Sequence, residues 1–217
     1  MDHQEIIENT IVFVKEKLKN AEGGHDWFHI QRVLSNAELI SRGENADLFV
    51  VSIGALLHDI ADYKFHNGDE KKGPAMATNF LRTHKVPEEV ITKVVYIIEN
   101  ISFKGGNEVQ VCGSKELDIV QDADRLDALG AMGIARTFNY GGFKGRRLYD
   151  PAIPPNLSMT KEEYKNSTAP TINHFYEKLL LLKDRMKTET GKKLAEDRHK
   201  YMETFLEQFY AEWKGEK

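Results

Sequence analysis

His58 and Asp59 stand side by side at the end of the run LFVVSIGALLHDI, which is otherwise small and apolar. Imidazole and carboxylate both ligate first-row divalent metals. An ionised carboxylate at such a place costs several kcal/mol unless something compensates it, and a divalent cation is an efficient compensator. Adjacent residues on a helix diverge by about 100°. One ion gripped by both therefore needs further ligands from other segments. His29 in HDWFHIQRV and Asp124 in QDADRLDALG are the candidates. Each also has a plainer reading: a histidine near a helix start caps or faces solvent, and Asp124 can pair with Arg125 or Arg32. His25 and His29 share the i, i+4 spacing of a zinc-peptidase helix. HDWFH, however, has no Glu in second place, and no third ligand follows nearby.

The elements that must position these groups are helical. Apolar residues recur at helical spacing almost throughout, and strand-like alternation is nearly absent. Ile6, Ile7, Thr10, Ile11, Val14 and Leu18 form one stripe that stops at Gly23-Gly24. Asp26 is placed to cap the next helix, which runs to Gly43. Residues 47–60 read as a helix buried almost all round, and residues 72–84 and 87–100 as two amphipathic helices, Pro87 opening the second. Residues 102–113 read as a loop. Helix is expected again over 116–129 and on toward Phe138. Residues 140–158 hold three Gly, three Pro and three basic residues, the composition of a mobile loop. A helical hairpin or bent helix is predicted over 171–213, interrupted near 188–191.

Composition narrows the function. In 217 residues with 41% hydrophobic and 29% charged, one sizeable core is the default. A net charge of −4 does not suggest a protein that grips nucleic acid. Cys112 is the only cysteine, so neither an internal disulfide nor a CxxC metal site can form. The N-terminal stretch lacks a signal peptide's pattern, and no apolar run reaches the ~20 residues that span a bilayer. A cytoplasmic protein without membrane contact is expected.

The order His…His-Asp…Asp, set in HDWFHIQRV, ALLHDIAD and DADRLDALG, resembles the HD superfamily of metal-dependent phosphohydrolases. The match spans roughly residues 25–130. The tail segments NHFYEKLLLL and LAEDRHKYMETFLEQF are similar to a small bacterial subgroup that resembles nucleotide pyrophosphohydrolases. The resemblance implies an all-α fold: a single compact helical bundle over residues 1–217, with its motif core at about 25–130 and a C-terminal helical extension at about 171–213. It implies that His29, His58, Asp59 and Asp124 hold one divalent metal. Asp124 is preferred to Asp122 because the family's ligand directly precedes an Arg, as Asp124 precedes Arg125. Helix geometry puts Asp127 on the face of Asp124, and Asp122 about 200° away, where a capping role suits it. Asp26, Arg125 and Asp127 are expected just behind the ligands. Two His and two Asp suit Mn, Fe, Co, Ni or Zn, and the resemblance favours Mn²⁺.

Such an ion lowers the pKa of water and so supplies a nucleophile at neutral pH. Asp62, three residues after Asp59, is the candidate for orienting or deprotonating that water. Its position matches an acid that acts in the related alarmone hydrolases, which carry two consecutive acids where this chain has Asp62-Tyr63. Lys104 in ISFKGG, and Lys144, Arg146 and Arg147 in GGFKGRR, are the candidates for substrate phosphate. The leading expectation is hydrolysis of a nucleoside triphosphate to monophosphate and pyrophosphate. The alternatives are a 5′-nucleotidase-like phosphomonoesterase and a non-catalytic metal- or nucleotide-binding regulator. The expected partner is a small nucleotide, and a homodimer is compatible with the sequence.

Overall fold

Three aspartates open the first three helices. In this computed structural model, which describes residues 2–19, 26–60, 71–101 and 113–217, α1 (His3–Lys17), α2 (Trp27–Ser41) and α3 (Leu48–Leu57) each start behind an Asp. Asp2 accepts from the amides of Gln4 and Glu5, Asp26 from that of His29, and Asp47 from those of Phe49 and Val50. Each carboxylate satisfies amides that the first helical turn leaves without a partner, and its charge suits the positive end of the helix.

The chain forms two compact units, Met1–Asp124 and Arg125–Lys217. In the first, α3 packs against α1, α2 and α5 (Glu88–Asn100), and α4 (Lys72–Thr83) packs against α5. Every residue from Phe49 to Leu57 is buried. Each large aliphatic side chain among them contributes about 1.5–3 kcal/mol by leaving water. Gly54 lets α5 come close: a Cβ there would stand 2.7 Å from Ile97 Cδ1. α6 (Lys115–Leu126) contains the boundary between the units in its last turn.

The second unit holds α7 (Gly130–Phe143), α8 (Lys161–Asn166), α9 (Asn173–Glu177), two short 3₁₀ turns and α10 (Glu189–Trp213). The rings of Phe138, Phe175 and Phe205 lie 5.8–6.0 Å apart, centre to centre. Tyr149 meets Phe209, Tyr210 and Trp213 edge-on. Among the described residues there is no strand, and no helix is long and apolar enough to cross a membrane. The chain is all-α, as the sequence predicts.

Local details differ from the sequence-based expectation. Helix does not run from 116 through 129. It stops at Leu126, turns through amide bonds from Ala128 to Arg125 O and from Leu129 to Leu126 O, and restarts at Gly130. Asp122 does not stand at the start of the helix. It is fully buried inside α6, because that position faces the packed side of the helix. Residues 140–143 complete α7, and the segment beyond Phe143 is tied down by hydrogen bonds to its backbone carbonyls. Thr171 N bonds to Arg147 O at 2.9 Å, Ile172 N to Leu148 O at 3.0 Å, and Asn173 Nδ2 to Ile153 O at 3.0 Å.

Candidate metal centre

His29 belongs to the first turn of α2. Its backbone amide donates to Asp26 at 2.9 Å, so the cap that starts the helix also fixes where this residue sits. The residue is 3% exposed. His58 is the residue on which α3 ends, 7% exposed. Its Nδ1 lies 2.8 Å from Ala55 O. A carbonyl can only accept, so Nδ1 carries the proton, and the lone pair of the neutral ring lies on Nε2. That arrangement is the usual one for a metal-ligating histidine.

The two rings stand edge to face with centroids 5.5 Å apart. One ligand atom each from His29, His58 and half-buried Asp59 fall within 4.8 Å of one another. Metal–ligand bonds of about 2.0–2.2 Å put opposed donors a little over 4 Å apart, so these three stand near the spread one ion requires. Asp124 adds a carboxylate from α6: its Oδ1 lies 3.5 Å from His29 Nε2, with the side chain 41% exposed. Two imidazoles and the Asp59 carboxylate thus gather near one point, with the Asp124 carboxylate against one of the imidazoles, a donor set that fits a divalent first-row metal. The apolar body of α3 explains how. It delivers His58-Asp59 at its end.

The other predicted residues that the structure describes have contacts of their own. Arg125 donates from Nη1 to Arg185 O at 3.1 Å. Asp127 is 1% exposed and pairs with Arg136. Lys144 Nζ sits over the rings of Tyr140 and Phe143, 5.6 and 5.2 Å from their centres. Arg146 donates to Ser167 O at 2.6 Å, and Arg147 pairs with Asp150 at 2.5 Å. Asp62 and Lys104, with His25, His66 and Cys112, lie outside the described residues. Sequence reasoning misses Arg136 and Arg198, which serve the end of α6. The one signal for them is the density of acids in QDADRLD, which a buried segment must match with cations from elsewhere.

Comparison with known proteins agrees with this geometry. The HD domain family model matches residues 27–129. Protein YpgQ of Bacillus subtilis is 37% identical over 209 residues, 96% of this chain and 94% of that one. The crystal structure of an HD-superfamily hydrolase from Bacillus thuringiensis superposes with a TM-score of 0.80 at 47% identity, covering 98% of this chain and 99% of that one. The crystal structure of Bacillus subtilis YpgQ in complex with ADP superposes at 0.76 with 33% identity, covering 98% and 97%. On fold, motif and likeness together, this chain belongs to the HD superfamily of metal-dependent phosphohydrolases.

Proposed function

We propose that the chain hydrolyses nucleotides, and most specifically that it cuts nucleoside triphosphates to monophosphate and pyrophosphate. The convergence of His29, His58 and Asp59 donor atoms within 4.8 Å carries the reading. His29, His58, Asp59 and Asp124 would hold one divalent ion, with Mn²⁺ favoured. When bound, such an ion makes water acidic enough to act as a nucleophile near neutral pH. The ADP complex of YpgQ supports a nucleotide as the ligand class.

The chain's own groups then have distinct tasks. The Ala55 carbonyl holds the His58 ring in one tautomer and orientation. Asp26, through the amide of His29, sets the start of α2. Asp62 is assigned the attacking water, which it would orient or deprotonate. Lys104, Lys144, Arg146 and Arg147 are assigned the substrate's phosphates, whose charge guanidinium and ammonium groups match.

A panel of nucleoside mono-, di- and triphosphates tests this, run with Mn²⁺, Fe²⁺, Co²⁺, Ni²⁺ and Zn²⁺ and read for both phosphate and pyrophosphate. Pyrophosphate release from triphosphates is the expected result. Phosphate release from monophosphates alone would replace it with a phosphomonoesterase. Asp62→Asn should leave metal affinity unchanged and lower kcat by about 10²–10⁴.

A further inference from the structure

The end of α6 is an unfavourable place for a carboxylate. A helix presents its unpaired carbonyls and the negative end of its dipole there. Yet Asp124 lies in that last turn, and Asp127 comes directly after it. Two arginines answer both problems. Arg198 Nη1 donates to Leu126 O at 2.5 Å. Arg136 Nη1 donates to Asp127 O at 3.1 Å and also meets the Asp127 carboxylate. Asp127 is almost fully buried, so its charge needs that partner.

The backbone makes room for this cap. Gly130, the first residue of α7, has φ +67, a left-handed conformation that a side chain disfavours. A Cβ there would stand 3.1 Å from Arg198 Cγ and 3.2 Å from Arg198 Cβ. At Gly133 a Cβ would overlap the carbonyl of Ala128. Glycine at these two positions lets the flanking helices bring their arginines onto the turn that ends α6.

We infer that Arg136 and Arg198 are positioning residues: by capping and neutralising the end of α6, they hold the turn that carries Asp124 ready for the cation. The inference rests on the proposed role of Asp124 as a ligand. Ordering the turn before binding removes a cost the ion would otherwise meet, and partners behind metal ligands are typically worth 10–100-fold in affinity.

The test is Mn²⁺ titration calorimetry on the full-length chain after chelator treatment, at a temperature where circular dichroism shows each variant folded. Arg136→Gln and Arg198→Gln should each weaken Mn²⁺ binding by about 10–100-fold, with Arg136→Lys recovering part of the loss. Arginines with only a structural role would lower the melting temperature of the metal-free protein and leave affinity within two-fold. That result overturns the inference. Should the Gln variants not fold, Gly130→Ala, which crowds Arg198 and strains the left-handed backbone at the same turn, takes their place and should weaken binding by about 10-fold; affinity within two-fold would overturn the inference equally. Asp124→Asn separates the two readings. If it binds Mn²⁺ as the wild type does, the ligand role fails and the inference with it. If it loses affinity while Arg136→Gln and Arg198→Gln do not, only the inference fails.

Discussion

Two clusters of titratable side chains settle their charge in different ways. Around His29, His58 and Asp59, imidazoles and carboxylate converge with their ligand atoms toward one point. Around Asp127, a buried carboxylate meets Arg136, and Arg198 caps the carbonyl just before it. In the first group the chain gathers donors that suit a cation from outside. In the second it supplies the cation itself. The difference separates a site built for an exogenous ion from one that completes a helix end, although both are acidic motifs in buried surroundings.

Removing a ligand should give the largest effect. Asp59→Ala or His58→Ala should abolish metal binding and turnover together, a loss beyond the roughly 100-fold typical of removing a partner behind a ligand. Metal stoichiometry and activity on the same preparation check it. An Asp59→Ala protein that binds one equivalent and turns over normally would break the contrast between the clusters.

The self-compensated cluster should answer in stability. Arg136→Ala leaves the Asp127 carboxylate buried without the guanidinium it meets, a change worth about 3 kcal/mol. Urea unfolding of the metal-free protein measures it. A loss under about 0.5 kcal/mol, as for an ordinary surface substitution, would mean that the pair is incidental.

A half-buried polar pair in the second unit has its own signature. The His174 ring has the Tyr164 hydroxyl 2.8 Å from its Nδ1. Burial holds its pKa down at about 3, and Lys178 and Arg146 push the same way. The same ring in the unfolded chain takes up a proton near pH 6.5. Below that pH the unfolded state binds more protons, so stability is full above pH 6.5 and falls as the pH drops toward 3. The slope is up to about 1.4 kcal/mol per pH unit. His174→Gln should flatten the stability profile between pH 6.5 and 4, and an unchanged profile would remove His174 as its source.

The sequence makes one of these regions far more legible than the other. His58-Asp59 announces itself because a titratable pair at the end of an apolar run is unusual, and because the motif is local. Asp124 follows from motif order. The fate of Asp122 and Asp127 does not, since it depends on which face of α6 is covered and on Arg198, 72 residues from the carbonyl it caps. Residues 144–160 hold three prolines and one glycine, which says only that they are not helical. Two of their tethers, Thr171 N to Arg147 O and Ile172 N to Leu148 O, are backbone bonds, and no side-chain pattern encodes those.

The smallest effect tests whether the metal centre depends on α3 as a whole or only on its end. Asp47 caps α3 by accepting from the amides of Phe49 and Val50, and its own amide donates to Glu116 at 3.2 Å. Asp47→Ala removes the cap and should cost about 1 kcal/mol of stability, whereas Asp47→Asn keeps an accepting oxygen and should cost a few tenths. His58 and Asp59 lie at the far end of the helix, beyond a body whose residues are all buried. A frayed first turn should therefore not reach them. Metal affinity in Asp47→Ala is expected within two-fold of the wild type, with the lower stability visible only in denaturant. If affinity falls with stability, α3 transmits disorder along its length, and the site depends on the whole helix rather than on the packing around its end.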